Sequence, residues 1–565
     1  MIRRPNPAAA ALAAILAASL SACAATSAGG GMAGAPGAGT ISVETLKSAT
    51  QALSSDAFEG RAPGTVGEER TVAYLVDRFG KAGLKPGNNG SWVQKVPLVE
   101  ITGTNFGPLS IWGKDGAAQS FAYGSDWVGA SYREAPSINL ANSEMVFVGY
   151  GIVAPEKNWN DYAGVDMEGK TAVILVNDPD YESQGLAGDF GGRAMTFYGR
   201  WTYKFEEAAR QGAAAAIIVH DEFPAAYGWN VVESSWSGPQ VYAARADKGA
   251  SQTMMNGWVQ KPVAQKIMAA AGQDLAALSA AAKKRGFRAV PLGVTASTRF
   301  GNTFRTFESQ NVVGVLPGTT RPDETVLYTA HWDHLGRCNP DASGDDICNG
   351  AVDNATGVAA LVALAEANAR AGATPRAQAF IALTSEESGL LGSQYYAMNP
   401  VFPLARTAGG INIDGLPLAG RFRDVVAIGG AKSQLDAYLS RALAAGNLAG
   451  SPEPTPEKGF YYRSDHFNLA KVGVPMLYLK GGDDLEAGGT AAGAAAAKEW
   501  TEQRYHQPSD EYDPDWDWAG AQQIVEAYYR IGRELATTPD WPNWNEGDEF
   551  RAARDASCAA DPAGC

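Results

Sequence analysis

Histidine and cysteine are both scarce in this chain, five of each in 565 residues. Charged residues make up only 19%, and the 46 basic side chains are outnumbered by 61 acidic ones, a formal net charge of −15. The acidic excess is spread along the chain and reads as solubility. No stripe of lysine and arginine stands out, which excludes nucleic acid and anionic lipid surfaces as natural partners. Long hydrophobic runs are missing too. The apolar stretch "AAAALAAILAASL", residues 8–20, is too short to cross a bilayer as a helix. No repeat with a period of 20 to 50 residues is evident. What is present in quantity is apolar material, 45% of the chain. At this length it implies three or four domain-sized units, or one large domain carrying an insert.

Arg3 and Arg4 precede the short apolar stretch, which ends in "LSAC", Leu20 to Cys23. This pattern resembles a bacterial lipoprotein signal, in which the cysteine becomes the lipidated first residue. Ala24 at the next position implies the outer membrane; plain secretion is the alternative. The expected location is the periplasmic side, with membrane contact only through the lipid anchor. Residues 1–23 are therefore the signal, and residues 24–40, rich in Gly and Ala, a flexible tether. Export leaves Cys338, Cys348, Cys558 and Cys565 in an oxidising compartment. Sequence proximity pairs Cys338 with Cys348 and Cys558 with Cys565. The spacing required for structural zinc is absent.

Past the tether, residues 41–135 read as helix, loop and helix followed by short strands. Residues 136–260 change texture: "EMVFVGYGI", "KTAVILV" and "AAAAIIVH" are short apolar strands, with "WTYKFEEAARQG" a helix before the last. The run "YKFEEAARQGAAAAIIVHD" resembles a protease-associated domain, a β-rich insert of exported peptidases. His220, alone at the end of an apolar strand, is expected to be structural. Residues 261–545 alternate strands ("NVVGVLPG", "TVLYTAH", "AQAFIALTS", "AGGINID", "DVVAIGG", "VPMLYLK") with helices such as "ATGVAALVALAEANA" and "AGAQQIVEAYYRIGRELA". The expected fold class is α/β, a mixed, largely parallel sheet covered by helices on both faces. Residues 546–565 form a tail.

Ligands of such sheets gather beyond the carboxyl ends of the strands. Polar residues cluster at those ends. "YTAHWDHLG" delivers His331, Asp333 and His334; "GAVDNATGV" delivers Asp353; "LTSEESGLLGS" delivers Glu386 and Glu387. "GGINID" delivers Asp414, and "RYHQPSDEYD" delivers His506. Singly, each has an ordinary explanation: Asp353 as a helix cap, the glutamates as first-turn residues, Asp414–Gly415 as a turn. Jointly they would concentrate negative charge unless cations sat among them. Imidazole nitrogens with carboxylate oxygens suit zinc or a similar ion, not magnesium or calcium.

The succession His-x-Asp, Asp-Asn-x-x-Gly, Glu-Glu-x-Gly-x-x-Gly-Ser, Asp and Tyr-His-x-x-x-Asp resembles the co-catalytic zinc peptidases of the bacterial aminopeptidase and glutamate carboxypeptidase family, M28, over roughly residues 305 to 535. "RSDHFNLAKVGVPML" matches a further element of that family. The resemblance implies two zinc ions per chain and a peptide substrate. His331, Asp353 and Asp414 would hold one ion, and Asp353 would bridge to a second held by Glu387 and His506. The partition of Asp414 and Glu387 between the ions stays open. It further implies that Asp333 orients His331, that Glu386 is the general base, and that Tyr461 and Tyr505 are candidates to steady the oxyanion. His334 and His466 match no ligand position. The expected activity is removal of N-terminal residues. Alternatives are a carboxypeptidase, for which Arg463 is the one evident nearby cation, a glutaminyl cyclase-like enzyme, and a receptor-like module without metals. The loop "GGDDLEAGG", Asp483 to Glu486, is a solvated acidic loop or a contact for a substrate amine.

Overall fold

The computed structural model describes residues 40–114, 116–430, 432–561 and 565. The expected signal and all of the tether but residue 40 lie outside the described residues. Four parallel strands form the centre of the main sheet, in the order Arg376–Leu383, Arg321–His331, Thr407–Asn412, Met476–Gly481. Antiparallel strands flank them: Val290–Leu316 on one side and Asp424–Ala427 on the other. The central strands are continuous apolar runs because helices cover both faces. The next strand of this sheet along the chain, Arg376–Leu383, lies on one side of Arg321–His331 and the one after it, Thr407–Asn412, on the other, so the strand order reverses there. A cleft opens there in sheets of this kind.

The helix Gly357–Arg370 is almost wholly buried. Its many alanines let it lie flush between the sheet and the helices Val43–Leu53 and Ala519–Thr537. Its partner Val43–Leu53 starts at Ser42, whose hydroxyl accepts from the Thr45 N–H at 3.0 Å. Such an N-cap is worth about 1 kcal/mol.

A second core is drawn from Leu109 to Phe300, a longer span than the expected insert of 136–260. Strands Ser137–Phe147, Thr171–Leu175, Ala215–His220 and Met255–Gln260 run parallel in it, and Trp127–Ala130 pairs antiparallel at the edge. The strand Val290–Leu316 belongs to both halves. Its first part pairs with Ser137–Phe147 and its last part with Arg376–Leu383. A single strand thus carries the backbone from one core into the other.

Segment 195–200 of the second half lies against residues 456–467 of the first. The Met195 N–H donates to the Pro456 carbonyl at 3.1 Å, and the Phe197 and Phe467 rings stand 5.4 Å apart. Lys471 pairs with Glu206 at 3.0 Å.

Both expected disulfides are present, Cys338–Cys348 and Cys558–Cys565. The tail contains the helix Arg551–Ala560. The acidic loop leads into another helix, Gly489–Gln503, that its composition did not announce; Asp484 and Glu486 are paired with Arg423 and Arg421 at 2.8 and 3.3 Å. No described helix is long and apolar enough to cross a membrane.

Candidate active site

The register of the parallel strands brings the sequence motifs together. His331 lies beside Leu383 at the strand ends, so Glu386 and Glu387 follow one turn away, and Asp414 follows the neighbouring Thr407–Asn412 strand. Asp353 comes from the turn Ala351–Thr356 before the buried helix.

That turn is fastened on three sides. The Asn354 amide donates to the carbonyls of His331 and Ile413 at 3.3 and 3.0 Å, and its oxygen accepts from the N–H groups of Gly357 and Gly415 at 3.1 and 2.9 Å. A Cβ on Gly357 would overlap the Asn354 amide oxygen, so the helix can start this close only with glycine there. Asp510 accepts from the Val352 and Asp353 N–H groups at 3.0 and 3.1 Å. Arg61, fully buried, donates to the carbonyls of Trp332, Asn349 and Gly350 at 2.9, 2.6 and 2.8 Å, and to Leu53 at 2.8 Å. Its guanidinium ties the loop after strand Arg321–His331 to the loop before Asp353. Arg61 carries no mark in the sequence beyond the "EGRAPG" stretch, and Asp510 only the motif that ends in it. Gly60, at φ 65°, lets the backbone pass close to the Cys348 and Gly336 carbonyls on its way to Arg61.

Two groups of donor atoms result, one of His331, Asp353 and Asp414, the other of His334, Asp353 and Glu387. His331 Nε2 stands 3.3 Å from Asp353 Oδ1 and 3.5 Å from Asp414 Oδ1. His506 Nε2 stands 3.4 Å from Asp353 Oδ2 and 3.1 Å from Glu387 Oε2. Asp353 thus offers one oxygen to each side, Asp414 falls with His331, and Glu387 falls with His506. His334, left outside the expected ligand set, places Nδ1 2.6 Å from Glu387 Oε1. His506 holds a left-handed backbone, φ 58°. Such strain costs of order 1–3 kcal/mol and persists where the surroundings over-determine it.

Asp333 works differently from expectation. Its carboxylate lies 3.7 Å from His331 Nδ1, beyond a hydrogen bond, and instead accepts from the N–H groups of Glu386 and Glu387 at 3.0 and 3.3 Å. The ring nitrogen of His331 meets the main-chain carbonyl of Asp333, at 3.2 Å. The two expected tyrosines separate as well. Tyr505 is exposed and stacks on His506 with ring centres 3.9 Å apart. Tyr461 is buried against His466, and the carboxylates that bear on its hydroxyl are Asp548, Glu549 and Asp436, not those of the cluster. Its place as an oxyanion partner is therefore not supported: the short helical turn Phe460–Tyr462 turns its ring into an aromatic core. Tyr478, unremarked in the sequence, donates to the Asp414 carbonyl at 3.1 Å. His466 packs between the Tyr461 and Tyr478 rings, and His220 meets the Tyr227 carbonyl at 3.0 Å.

Burial disfavours charge on His331, but Glu386, Asp333, Asp353 and Asp414 overcome it and hold the imidazole well above its usual pKa. His506 likewise rises to about 10, desolvation being outweighed by Asp353 and Glu387. Loss of solvent pushes the Glu386 carboxyl well above the usual range; His331 opposes the shift, while Asp414, Glu387 and Asp465 add to it. The Nε2 atoms of His331, His334 and His506 are buried and lack a hydrogen-bond partner among the described residues. Imidazole nitrogens and carboxylate oxygens converging in this way fit a zinc-like divalent metal.

A nitrogen-and-oxygen donor cluster at the strand ends of a mixed α/β sheet, with a spare glutamate beside it, defines a metal-dependent hydrolase. Over residues 311–531 the chain matches the model of peptidase family M28. Among solved structures, the aminopeptidase from Aneurinibacillus sp. strain AM-1 aligns over 89% of this chain and 95% of its own, with 21% identity and a TM-score of 0.47. BSAP, a zinc aminopeptidase from Bacillus subtilis, aligns over 90% and 98% with 16% identity and a TM-score of 0.42. A peptidase M28 precursor from Shewanella amazonensis SB2B aligns over 88% and 96% with 17% identity and a TM-score of 0.38. No curated protein matches.

The protonated histidines make a testable demand. A metal ligand must be a neutral imidazole, so zinc has to displace the protons held by His331 and His506. Calorimetry at pH 7.5 in buffers of different ionisation enthalpy should therefore show about two protons released per chain on zinc binding. Raised folded pKa values also mean that these histidines stabilise the metal-free fold fully below 6.5, with the His506 share lost as pH rises through about 10. Zinc binding without proton release at pH 7.5 would contradict the assignment.

Proposed function

We propose that this protein is an exported, zinc-dependent exopeptidase that removes N-terminal residues from peptides. The observation that carries the reading is Asp353, set between His331 and His506, with Glu386 beside the cluster. The residues fit two ions: His331, Asp353 and Asp414 for one, and Asp353, Glu387 and His506 for the other, with His334 holding Glu387 from behind. When bound, the ions supply Lewis-acid polarisation of the scissile carbonyl and a water acidified for attack.

The chain's own groups do the rest. Glu386 is fixed at its backbone by Asp333, which leaves its carboxylate to take the proton of the attacking water and return it to the leaving amine. General acid–base help of this kind contributes roughly 10²–10⁴-fold. Tyr505, at the open rim over His506, is the candidate to steady the oxyanion. The second core is the counterpart of the protease-associated resemblance. We assign it to shaping substrate access, since its own histidine is engaged with the Tyr227 carbonyl.

Glu386 and Glu387 are adjacent, but their losses should differ in kind. Glu386→Gln should keep close to its full zinc content and still bind peptide, while kcat falls by about 10²–10⁴-fold or more. Glu387→Ala should lose zinc, with activity partly restored by excess metal. Near wild-type turnover in Glu386→Gln would overturn the hydrolytic mechanism. Export rests on Cys23, which lies outside the described residues. Cys23→Ala should move the protein from the membrane fraction into soluble periplasm, and an unchanged membrane-bound fraction would rule out the lipid anchor.

A further inference from the structure

Glu68 lies in the first turn of the helix Val66–Lys81, where a carboxylate is ordinarily explained by the helix dipole. That helix already has its cap, the Thr65 hydroxyl accepting from the Gly67 N–H at 3.1 Å. Glu68 is buried, with 3% of its surface exposed. Its Oε2 accepts from the Gly64 N–H at 2.6 Å and from the Ser309 hydroxyl at 3.0 Å. Gly64 is in the loop after Arg61, and Ser309 is in the strand Val290–Leu316. A helix-dipole role needs neither bond to the distant strand nor burial.

From Ser309 the contacts continue toward Glu386. The Ser309 and Thr384 hydroxyl oxygens are 2.6 Å apart, and those of Thr384 and Ser385 are 3.2 Å apart. All three residues are fully buried. With Glu68 ionised, the direction of every bond is fixed, because a carboxylate has no proton to give. Ser309 donates to Glu68, Thr384 to Ser309, and Ser385 to Thr384. Hydrogen bonds in such a series strengthen one another.

The series ends on the residue before Glu386. Ser385 holds a left-handed backbone, φ 55°, which a serine keeps only where its surroundings over-determine it. The Leu391 N–H donates to the Ser385 carbonyl at 3.0 Å, and the Thr384 N–H donates to the Asn311 side-chain oxygen at 3.0 Å. Asp333 receives the Glu386 N–H beyond the turn. The hydroxyl series supplies the hold on the Ser385 side chain.

We propose that Glu68 is a positioning residue for hydrolysis: through the Ser309, Thr384 and Ser385 hydroxyls it holds the turn that presents Glu386. This rests on the reading of Glu386 as the general base and adds to it a residue of the N-terminal helix.

The test uses the full-length, zinc-loaded protein. Thr384→Val keeps the side-chain volume, leaves Glu68 its bonds to Gly64 and Ser309, and breaks the series in the middle. Its kcat should fall roughly 10- to 100-fold, the scale of a small misplacement of a catalytic group, with KM and zinc content near wild type. Amide hydrogen exchange over residues 384–391 should quicken while strand 376–383 stays protected. Thr384→Ser, which puts the hydroxyl back, should restore both readouts. Ser309→Ala, which severs Glu68 alone from the turn, should repeat the loss. Wild-type kcat in Thr384→Val or Ser309→Ala, or exchange that does not quicken, overturns the positioning role. So does a loss that Thr384→Ser shares, or one accounted for by lost zinc or a raised KM. If the wild-type zinc protein hydrolyses no peptide, the peptidase reading falls instead, and the exchange comparison still decides whether the series holds the turn.

Discussion

Asp353 is the point on which the catalytic half depends. Its two oxygens face two imidazoles, and Glu387 and Asp414 stand on either side. Like charges at such separations, in a site partly stripped of water, repel strongly unless cations lie between them. The surrounding structure answers that demand at the backbone. Asn354 pins the turn to the strand ends, Asp510 receives its N–H groups, and Arg61 joins its approach to the loop after His331. Each fixes main chain, so the side chains of Asp353 and His331 are left for ligation. The position of Asp333 follows the same economy: its carboxylate holds the peptide groups of both glutamates, and only its carbonyl attends to His331.

Much of this was legible in the sequence because parallel strands read as apolar runs and a polar residue just past each run must lie at one edge of the sheet. His331, Asp353, Glu386, Glu387, Asp414 and His506 were found that way, and the structure brings all six together. The pairing of cysteines also followed from their spacing alone. What could not be read were contacts across long separations. Arg61 lies 271 residues before the carbonyl of Trp332 that it holds, and nothing local marks it as buried. The surroundings of Tyr461 were equally out of reach, since its ring packs in the aromatic core around His466. His334 was set aside by pattern, yet its ring meets the carboxylate of Glu387, 53 residues further along the chain.

The second core does not share the bounds of the expected insert. It takes in Leu109 and Phe300, because the strand Val290–Leu316 runs through both sheets and carries residues of each.

Two ions sharing Asp353 would balance the charge gathered at the strand ends. Anomalous diffraction from crystals of the zinc-loaded protein, recorded on either side of the zinc edge, tests this most directly. Two peaks flanking the Asp353 carboxylate are predicted, one against His331 and Asp414 and the other against Glu387 and His506. A single peak, or two that leave Asp353 on one side, would contradict it.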